Sequence, residues 1–186
     1  MNAHTEPVSP SHLDLGSFIR AIPDYPRPGI LFRDLTPLFG NARAFRETIE
    51  ALAQPWKDAE VDRVAGIEAR GFILGSALAY QLSAGFIPIR KKGKLPHTTL
   101  SETYALEYGS DQIEIHSDAL SAGERVLLVD DLIATGGTAE AAVTLLHALN
   151  ANLLGACFVI DLVNLGGSAK LKARDVDVKA LFSFQK

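Results

Sequence analysis

The 186-residue chain contains one cysteine, and this scarcity excludes two kinds of architecture. Cys157 lies in the apolar run 156–160. No disulfide can therefore form within the chain, and no cysteine-based metal cluster can be assembled. A reduced, cytoplasmic setting is the expectation that follows, with Cys157 as part of the core and not as a nucleophile.

Long hydrophobic runs and an excess of positive charge are also missing. No apolar stretch approaches the ~20 residues that a membrane helix needs. The formal net charge of -4 argues against nucleic acid as the main partner, because neutralising phosphates requires a basic surface. Residues 1–7 lack a basic segment followed by an apolar core, so no secretory signal is expected, and residues 1–10 are expected to form a disordered arm.

The nucleotide-binding motifs of two large enzyme classes are absent as well. No G-x-x-x-x-G-K-[ST] sequence occurs, and no G-x-G-x-x-G opens a helix after a strand. An ATPase or a dehydrogenase is therefore not expected. The five histidines have no metal-ligand spacing, and none is assigned a catalytic role.

What the chain does contain is the pattern of an α/β domain. A hydrophobic content of 47% over this length supports one core, so residues 11–186 are expected to form a single domain. One helix is predicted to begin near Gly71, between the first two strands. A second, after the third strand, is predicted to carry Ala142, Leu145, Leu146 and Leu149 on one face. Short apolar runs alternate with these helices and predict a mostly parallel sheet flanked by helices. The strands are predicted at 63–67, 86–90, 125–129, 156–162 and 179–184.

The first 60 residues and the middle of the chain depart from that pattern. Ser11 and Asp14 form a capping box ahead of a short helix predicted to end before Pro23. Prolines and a glycine make residues 24–29 irregular, and Asn41 is predicted to cap the next helix. That helix places Phe45, Ile49 and Leu52 at helical spacing. Residues 104–116 alternate apolar and polar, with a turn at 109–111, and predict a hairpin.

The strongest functional signal is a loop that follows a buried strand. Residues 126–129 are apolar, two carboxylates follow, and the loop residues then open a helix. The loop residues are Ala134, Thr135, Gly136, Gly137 and Thr138. Amides at a helix N-terminus, flexible glycines and threonine hydroxyls suit a phosphate group.

Asp130 and Asp131 would repel a phosphate, so we expect them to face a part of the ligand that carries hydroxyls and develops positive charge. A ribose offers both. The alternative is a strand-to-helix turn with a solvated Asp pair.

These residues, together with four further segments in the same order, resemble the type I phosphoribosyltransferases and, among them, the adenine phosphoribosyltransferases. The segments are 28–34, 68–72, 90–96 and 102–109, and the resemblance covers about 24–184. It implies that family's fold, with an N-terminal hood over about 11–40 and a flexible hairpin lid over about 95–108. It also implies transfer of phosphoribose from phosphoribosyl diphosphate (PRPP) to adenine, giving AMP and pyrophosphate, with Mg²⁺ carried on PRPP and a homodimer as the assembly.

The resemblance assigns roles residue by residue. The loop residues would hold the 5′-phosphate, and the two aspartates would bind the ribose hydroxyls and stabilise the cationic sugar. Arg70, Lys94 and Arg90 would bind the pyrophosphate, with Arg90 serving the neighbouring subunit. Glu107 of the lid would assist the proton that leaves the purine. Leu31 and Arg33 would read adenine through their backbone, and Phe32 would provide an aromatic face.

Each role has a plainer alternative. Arg70 and the basic run 90–94 could be ordinary solvated cations, Glu107 a solvent-facing strand residue and residues 30–32 core filling. Two other functions stay open on sequence grounds. One is a 6-oxopurine phosphoribosyltransferase, and the other is a purine-sensing regulator that keeps the PRPP loop only to bind an effector.

Overall fold

The computed structural model describes residues 13–105 and 109–185, and the chain divides into two compact units, residues 1–47 and 48–186. In the first unit, Asp14 caps a 3-10 helix, Leu15–Phe18, by accepting a hydrogen bond from the Gly16 amide at 3.1 Å. The predicted longer helix is wrong, because strand β1, Arg20–Pro23, follows at once. It pairs antiparallel with β2, Leu31–Asp34, and that pairing satisfies its backbone.

The segment between these strands is irregular, as predicted. The Tyr25–Pro26 peptide is cis, and Asp24 adopts a φ of 57°. The Asp24 carboxylate accepts a hydrogen bond from the Gly29 amide at 2.8 Å, which closes the turn. Helix α1, Thr36–Gly40, and helix α2, Ala42–Ala53, come next. Asn41 caps α2 as predicted, since its side-chain oxygen accepts from the Ala44 amide at 2.9 Å.

The second unit contains one seven-stranded sheet. Its strands are β3 Arg63–Ile67, β4 Gly85–Lys91, β5 Thr99–Ala105, β6 Ser110–His116, β7 Arg125–Ile133, β8 Asn152–Leu162 and β9 Val178–Phe184. The order across the sheet is β5-β6-β4-β3-β7-β8-β9. Strands β4, β3, β7, β8 and β9 run parallel, while β5 and β6 form an antiparallel hairpin at one edge. The predicted mostly parallel sheet is confirmed.

Three helices pack on this sheet: α3 Arg70–Gln81, α4 Gly137–Ala148 and α5 Gly167–Lys172. The core lies where α4 covers the sheet, and it includes fully buried Leu128, Leu146 and Phe158. Cys157 of β8 is also buried, and burial raises the pKa of its thiol. The part of the chain that the structure describes contains no helix long and apolar enough to cross a membrane.

Several predicted boundaries need correction, including the start of β8, which lies at Asn152 and not at residue 156. Strand β7 continues beyond Val129 to Ile133, because its parallel neighbour β8 pairs with it as far as Asp161. Ser110 and Asp111 are paired strand residues and not turn residues, and the hairpin's first arm already begins at Thr99. The single domain over 11–186 stays a prediction, and residues 1–10 lie outside the described residues.

Candidate active site

A cavity of about 220 Å³ opens at the carboxyl end of β7. Its lining combines the first residue of α3, the last residues of β7 and the loop before α4. The lining residues are Arg70, Asp130, Asp131, Leu132, Ile133, Ala134, Thr135, Gly136, Gly137, Thr138 and Ala139. The carboxyl ends of parallel strands are where α/β folds bind ligands, and a helix N-terminus faces the same space.

The two aspartates at this cavity both lie close to the start of α3. Asp131 is buried, and its carboxylate accepts a hydrogen bond from the Arg70 guanidinium in an ion pair. Gly71, the second residue of α3, packs close to the Asp130 carboxyl. If residue 71 carried a Cβ, that atom would lie 2.9 Å from Asp130 Oδ1. Glycine is therefore required at position 71 for the helix to begin this close to β7. Gly71 lies at the helix start predicted from the sequence, but its close contact with Asp130 joins distant parts of the chain and no local pattern indicates it.

The charge state of Asp130 differs from that of a solvated carboxyl. Removal from water, followed by repulsion from the Asp131 carboxylate, raises the pKa of Asp130 well above its ordinary value. The Arg70 charge acts in the opposite direction and lowers it. The acid pair therefore holds a proton to higher pH than two exposed aspartates would.

The loop from Ala134 to Gly136 ends in a left-handed residue that starts α4. Gly136 has a φ of +85° and forms the N-cap, and no side chain caps the amides of the first turn. These amides lack partners within the helix, so they are available to an anion in the cavity. Thr135 is exposed, and Thr138 is half-buried.

The basic run forms a turn between β4 and the hairpin, which we call the basic turn, residues 90–94. Arg90 donates to the Glu68 carboxylate at 3.2 Å and to the Lys94 carbonyl oxygen at 3.0 Å. The Lys91 amide donates to the same carboxylate at 3.1 Å. Although burial works against it, these hydrogen bonds lower the pKa of Glu68. Glu68 precedes a cis peptide to Ala69.

A further acid, this one buried, supports the turn from the hairpin. Glu114 of β6 is 7% exposed, and its carboxylate accepts from the Gly93 amide at 2.9 Å and from the Ser101 hydroxyl at 3.3 Å. Sequence reasoning missed Glu68 and Glu114. Glu68 lies in a segment that carries the family resemblance and Glu114 in the predicted hairpin, but their partners are distant in the chain, and no local pattern shows such pairs.

The hairpin also reaches the loop 134–138, which we call the phosphate loop. Tyr104 of β5 donates to the Asp111 carboxylate at 3.3 Å, and Asp111 forms an ion pair with Lys91 at 3.1 Å. A Cβ on Gly137 would lie 3.2 Å from the Ala105 carbonyl oxygen, so the hairpin packs closely on the first residue of α4. Glu107 lies outside the described residues, as do its two neighbours, Leu106 and Tyr108.

The predicted adenine-binding residues belong to the first unit and form most of β2. Leu31 is 41% exposed, and the half-buried Phe32 ring meets Tyr25 edge-on with ring centroids 5.2 Å apart. Arg33 pairs with Ala21 across the two strands. Within the described residues, no group of three or more His, Cys, Asp or Glu side chains could hold a metal ion.

Comparison with known proteins agrees with this architecture. A model of the phosphoribosyl transferase domain matches residues 38–185. The adenine phosphoribosyltransferase of Bradyrhizobium sp. strain BTAi1 is 64% identical over 173 residues, which is 93% of this chain and 97% of that protein.

Two solved structures extend the comparison. The adenine phosphoribosyltransferase of Rhodothermus marinus superposes with a TM-score of 0.86 at 50% identity, covering 91% of this chain and 96% of that one. The enzyme of Saccharomyces cerevisiae, solved with an imino-altritol bisphosphate and adenine, gives a TM-score of 0.85 at 42% identity over 90% and 96% of the two chains. The chain thus belongs to the phosphoribosyltransferase family and, within it, to the adenine phosphoribosyltransferases.

Proposed function

We propose that the chain transfers the phosphoribosyl group of PRPP to N9 of adenine in the cavity at the end of β7. The observation that carries this proposal is the meeting of three groups in one cavity: an uncapped helix N-terminus, an acid pair and Arg70. A phosphate, a ribose whose C1′ develops positive charge and a departing diphosphate each need one of these groups. This chemistry fits the activity by which the family is named.

The phosphate end of the ligand binds to the loop 134–138. The amides of the first turn of α4 and the hydroxyls of Thr135 and Thr138 donate to its oxygens. Each charge-assisted hydrogen bond contributes about 1.5–3 kcal/mol, whereas the helix dipole contributes about 0.5–2 kcal/mol in total. The individual donors therefore account for most of the binding.

The acid pair acts on the sugar. The carboxyls of Asp130 and Asp131 accept hydrogen bonds from the 2′ and 3′ hydroxyls and stabilise the positive charge that develops at C1′. The C1′–O1 bond to the diphosphate breaks while the N9–C1′ bond forms. A partly buried acid pair strengthens this electrostatic stabilisation, because less water screens it.

The leaving diphosphate requires cations. Arg70 supplies one at the cavity, and Lys94 and Arg90 of the basic turn supply others, with Arg90 proposed to serve the neighbouring subunit of a homodimer. Mg²⁺ is proposed to arrive on PRPP as part of the substrate. The diphosphate oxygens and retained waters provide the octahedral oxygen ligands that this ion prefers.

Adenine recognition and proton removal are assigned through the resemblance. The backbone of Leu31 and Arg33 would read the amino group and a ring nitrogen, while Phe32 packs on the base. Glu107 of the proposed lid would accept the proton that leaves the purine, and the closed lid would exclude water from the cationic sugar. We also propose a reduced, cytoplasmic setting, in which the buried Cys157 thiol stays free.

A panel of purine bases with PRPP and Mg²⁺ tests this function. We expect AMP and pyrophosphate from adenine, with rates for hypoxanthine, guanine and xanthine lower by about a hundredfold or more, because a site built for an amino group leaves buried polar groups unpaired with an oxo group. A preference for a 6-oxopurine would overturn the assignment of adenine. PRPP binding without transfer to any base would favour the regulator.

A further inference from the structure

A second glycine-containing turn lies directly against the proposed phosphate loop. We call it the support turn, residues 166–168, and it opens α5. The Gly167 amide donates to the Ala134 carbonyl oxygen at 2.9 Å. This bond joins the start of α5 to the loop 134–138 and fixes the peptide that precedes Thr135.

The two turns approach more closely than side chains allow. A Cβ on Gly167 would overlap the Ala134 carbonyl oxygen and lie 2.8 Å from the Gly136 nitrogen. In the reverse direction, a Cβ on Gly136 would lie 2.9 Å from the Gly167 Cα. These are backbone atoms of both turns, so neither clash can be relieved by rotating a side chain.

A buried hydrogen bond fixes the support turn to the sheet. The Ser168 hydroxyl donates to the Asp161 carboxylate at 2.6 Å, and both residues are less than 10% exposed, at 7% and 8%. Asp161 pairs in register with Ile133 of β7, the residue directly before Ala134. Asp161, Ser168 and Gly167 thus link the adjacent ends of β7 and β8 to the loop between β7 and α4.

We propose that Gly167 is a positioning residue for the 5′-phosphate and that the Asp161–Ser168 pair keeps it in place. This inference rests on the proposed role of the loop 134–138. Amides hold an anion only when several point at it together, and the contact with Gly167 sets the direction of the Ala134 and Gly136 peptides. A side chain at Gly167 moves those peptides without touching a ligand.

The expected consequence is selective for ligands that carry the 5′-phosphate. In Gly167→Ala, the Kd for AMP and for ribose 5-phosphate rises about tenfold or more, the amount expected from one misdirected charge-assisted hydrogen bond. Pyrophosphate binding stays within about twofold of the wild type, because its proposed cations lie on α3 and the basic turn. The KM for PRPP rises about tenfold, while that for adenine does not change.

Calorimetric titration of the full chain with AMP, ribose 5-phosphate and pyrophosphate makes the measurement. Gly155→Ala is the matched control. Its Cβ would be equally crowded, 2.5 Å from a Trp56 ring carbon and 2.6 Å from the Asp177 carbonyl oxygen, but it lies near the opposite end of β8. We expect this control to lose thermal stability and to keep the wild-type affinity for all three ligands.

Ser168→Ala keeps the test decisive should Gly167→Ala fail to fold. It removes only the bond to Asp161, and we expect it to raise the Kd for AMP about threefold with no change for pyrophosphate. Wild-type affinity for AMP in Ser168→Ala, or equal losses for AMP and pyrophosphate in either variant, would overturn the inference. Absence of phosphoribosyl transfer by the wild type would instead overturn the proposed function.

Discussion

The phosphate loop and the basic turn are both proposed to bind phosphate groups, but they are built from different parts of the chain. The loop 134–138 presents main-chain amides whose directions are fixed by α4 and by close backbone packing. The basic turn presents side chains, the half-buried Arg90 and the exposed Lys91, that are held by ion pairs with Glu68 and Asp111. A backbone site therefore depends little on any one of its own side chains, whereas a side-chain site depends on each cation and on salt.

The acid pair lies on the backbone-built side and is expected to give the largest effect. Asp130→Asn combined with Asp131→Asn removes both carboxylates that would face the cationic sugar. We expect kcat to fall by about a thousandfold or more, since single preorganised groups are worth about 10²–10³. Steady-state kinetics measure this, with thermal melting to confirm folding. Wild-type turnover would remove the electrostatic argument.

Substitution of Glu107 in the proposed lid is expected to give the next largest effect, on turnover and not on PRPP affinity. Glu107→Leu removes the proposed proton acceptor, for which a loss of about a hundredfold in kcat is typical. The KM for PRPP should stay within about threefold, because neither phosphate region includes Glu107. Glu102→Leu, on the same hairpin, is the control and should stay near wild type. Equal losses in turnover and PRPP binding would contradict this role.

The pH dependence of kcat tests the state of the acid pair. Burial and Asp131 raise the pKa of Asp130, so this carboxyl stays protonated to higher pH than an exposed aspartate and ionises only above that raised pKa. Activity should thus decline about tenfold for each pH unit below it. In Asp130→Asn the carboxyl with the raised pKa is gone, so this acid limb should be lost. An unchanged fall in kcat at acid pH would mean that a group other than Asp130 causes it.

The basic turn can be tested through Lys94, one of its exposed cations. Lys94→Ala should raise the KM for PRPP about tenfold at low ionic strength, and the difference from wild type should shrink as salt screens the exposed charge. Lys179→Ala is the control, because that lysine pairs with Asp177 beside β9 at the far edge of the sheet. A loss that does not depend on salt would indicate that Lys94 acts within a protected site.

The same distinction explains how much of the molecule could be predicted from its sequence. The parallel strands and α4 were predicted because buried runs and helical spacing are local patterns, and the phosphate loop is a contiguous motif. The residues that support these sites were not predicted, because their partners are distant in the chain. Glu114 bonds to Gly93 from another strand, and Gly167 contacts Ala134 across 33 positions of the chain. Strand β1 was mistaken for a helix because its pairing partner β2 lies beyond an irregular segment.

The smallest effect is expected from a side chain of the phosphate loop itself. Thr135→Val removes one hydroxyl but leaves every amide and the left-handed Gly136 in place. The KM for PRPP should rise only about twofold to threefold, less than for Lys94→Ala, since the remaining amide donors still surround the phosphate. Thr144→Val, which removes a hydroxyl bonded to the Glu140 carbonyl within α4, controls for loss of a hydroxyl. A larger loss for Thr135→Val than for Lys94→Ala would mean that side chains and not the backbone hold the phosphate, and the contrast between the two regions would no longer stand.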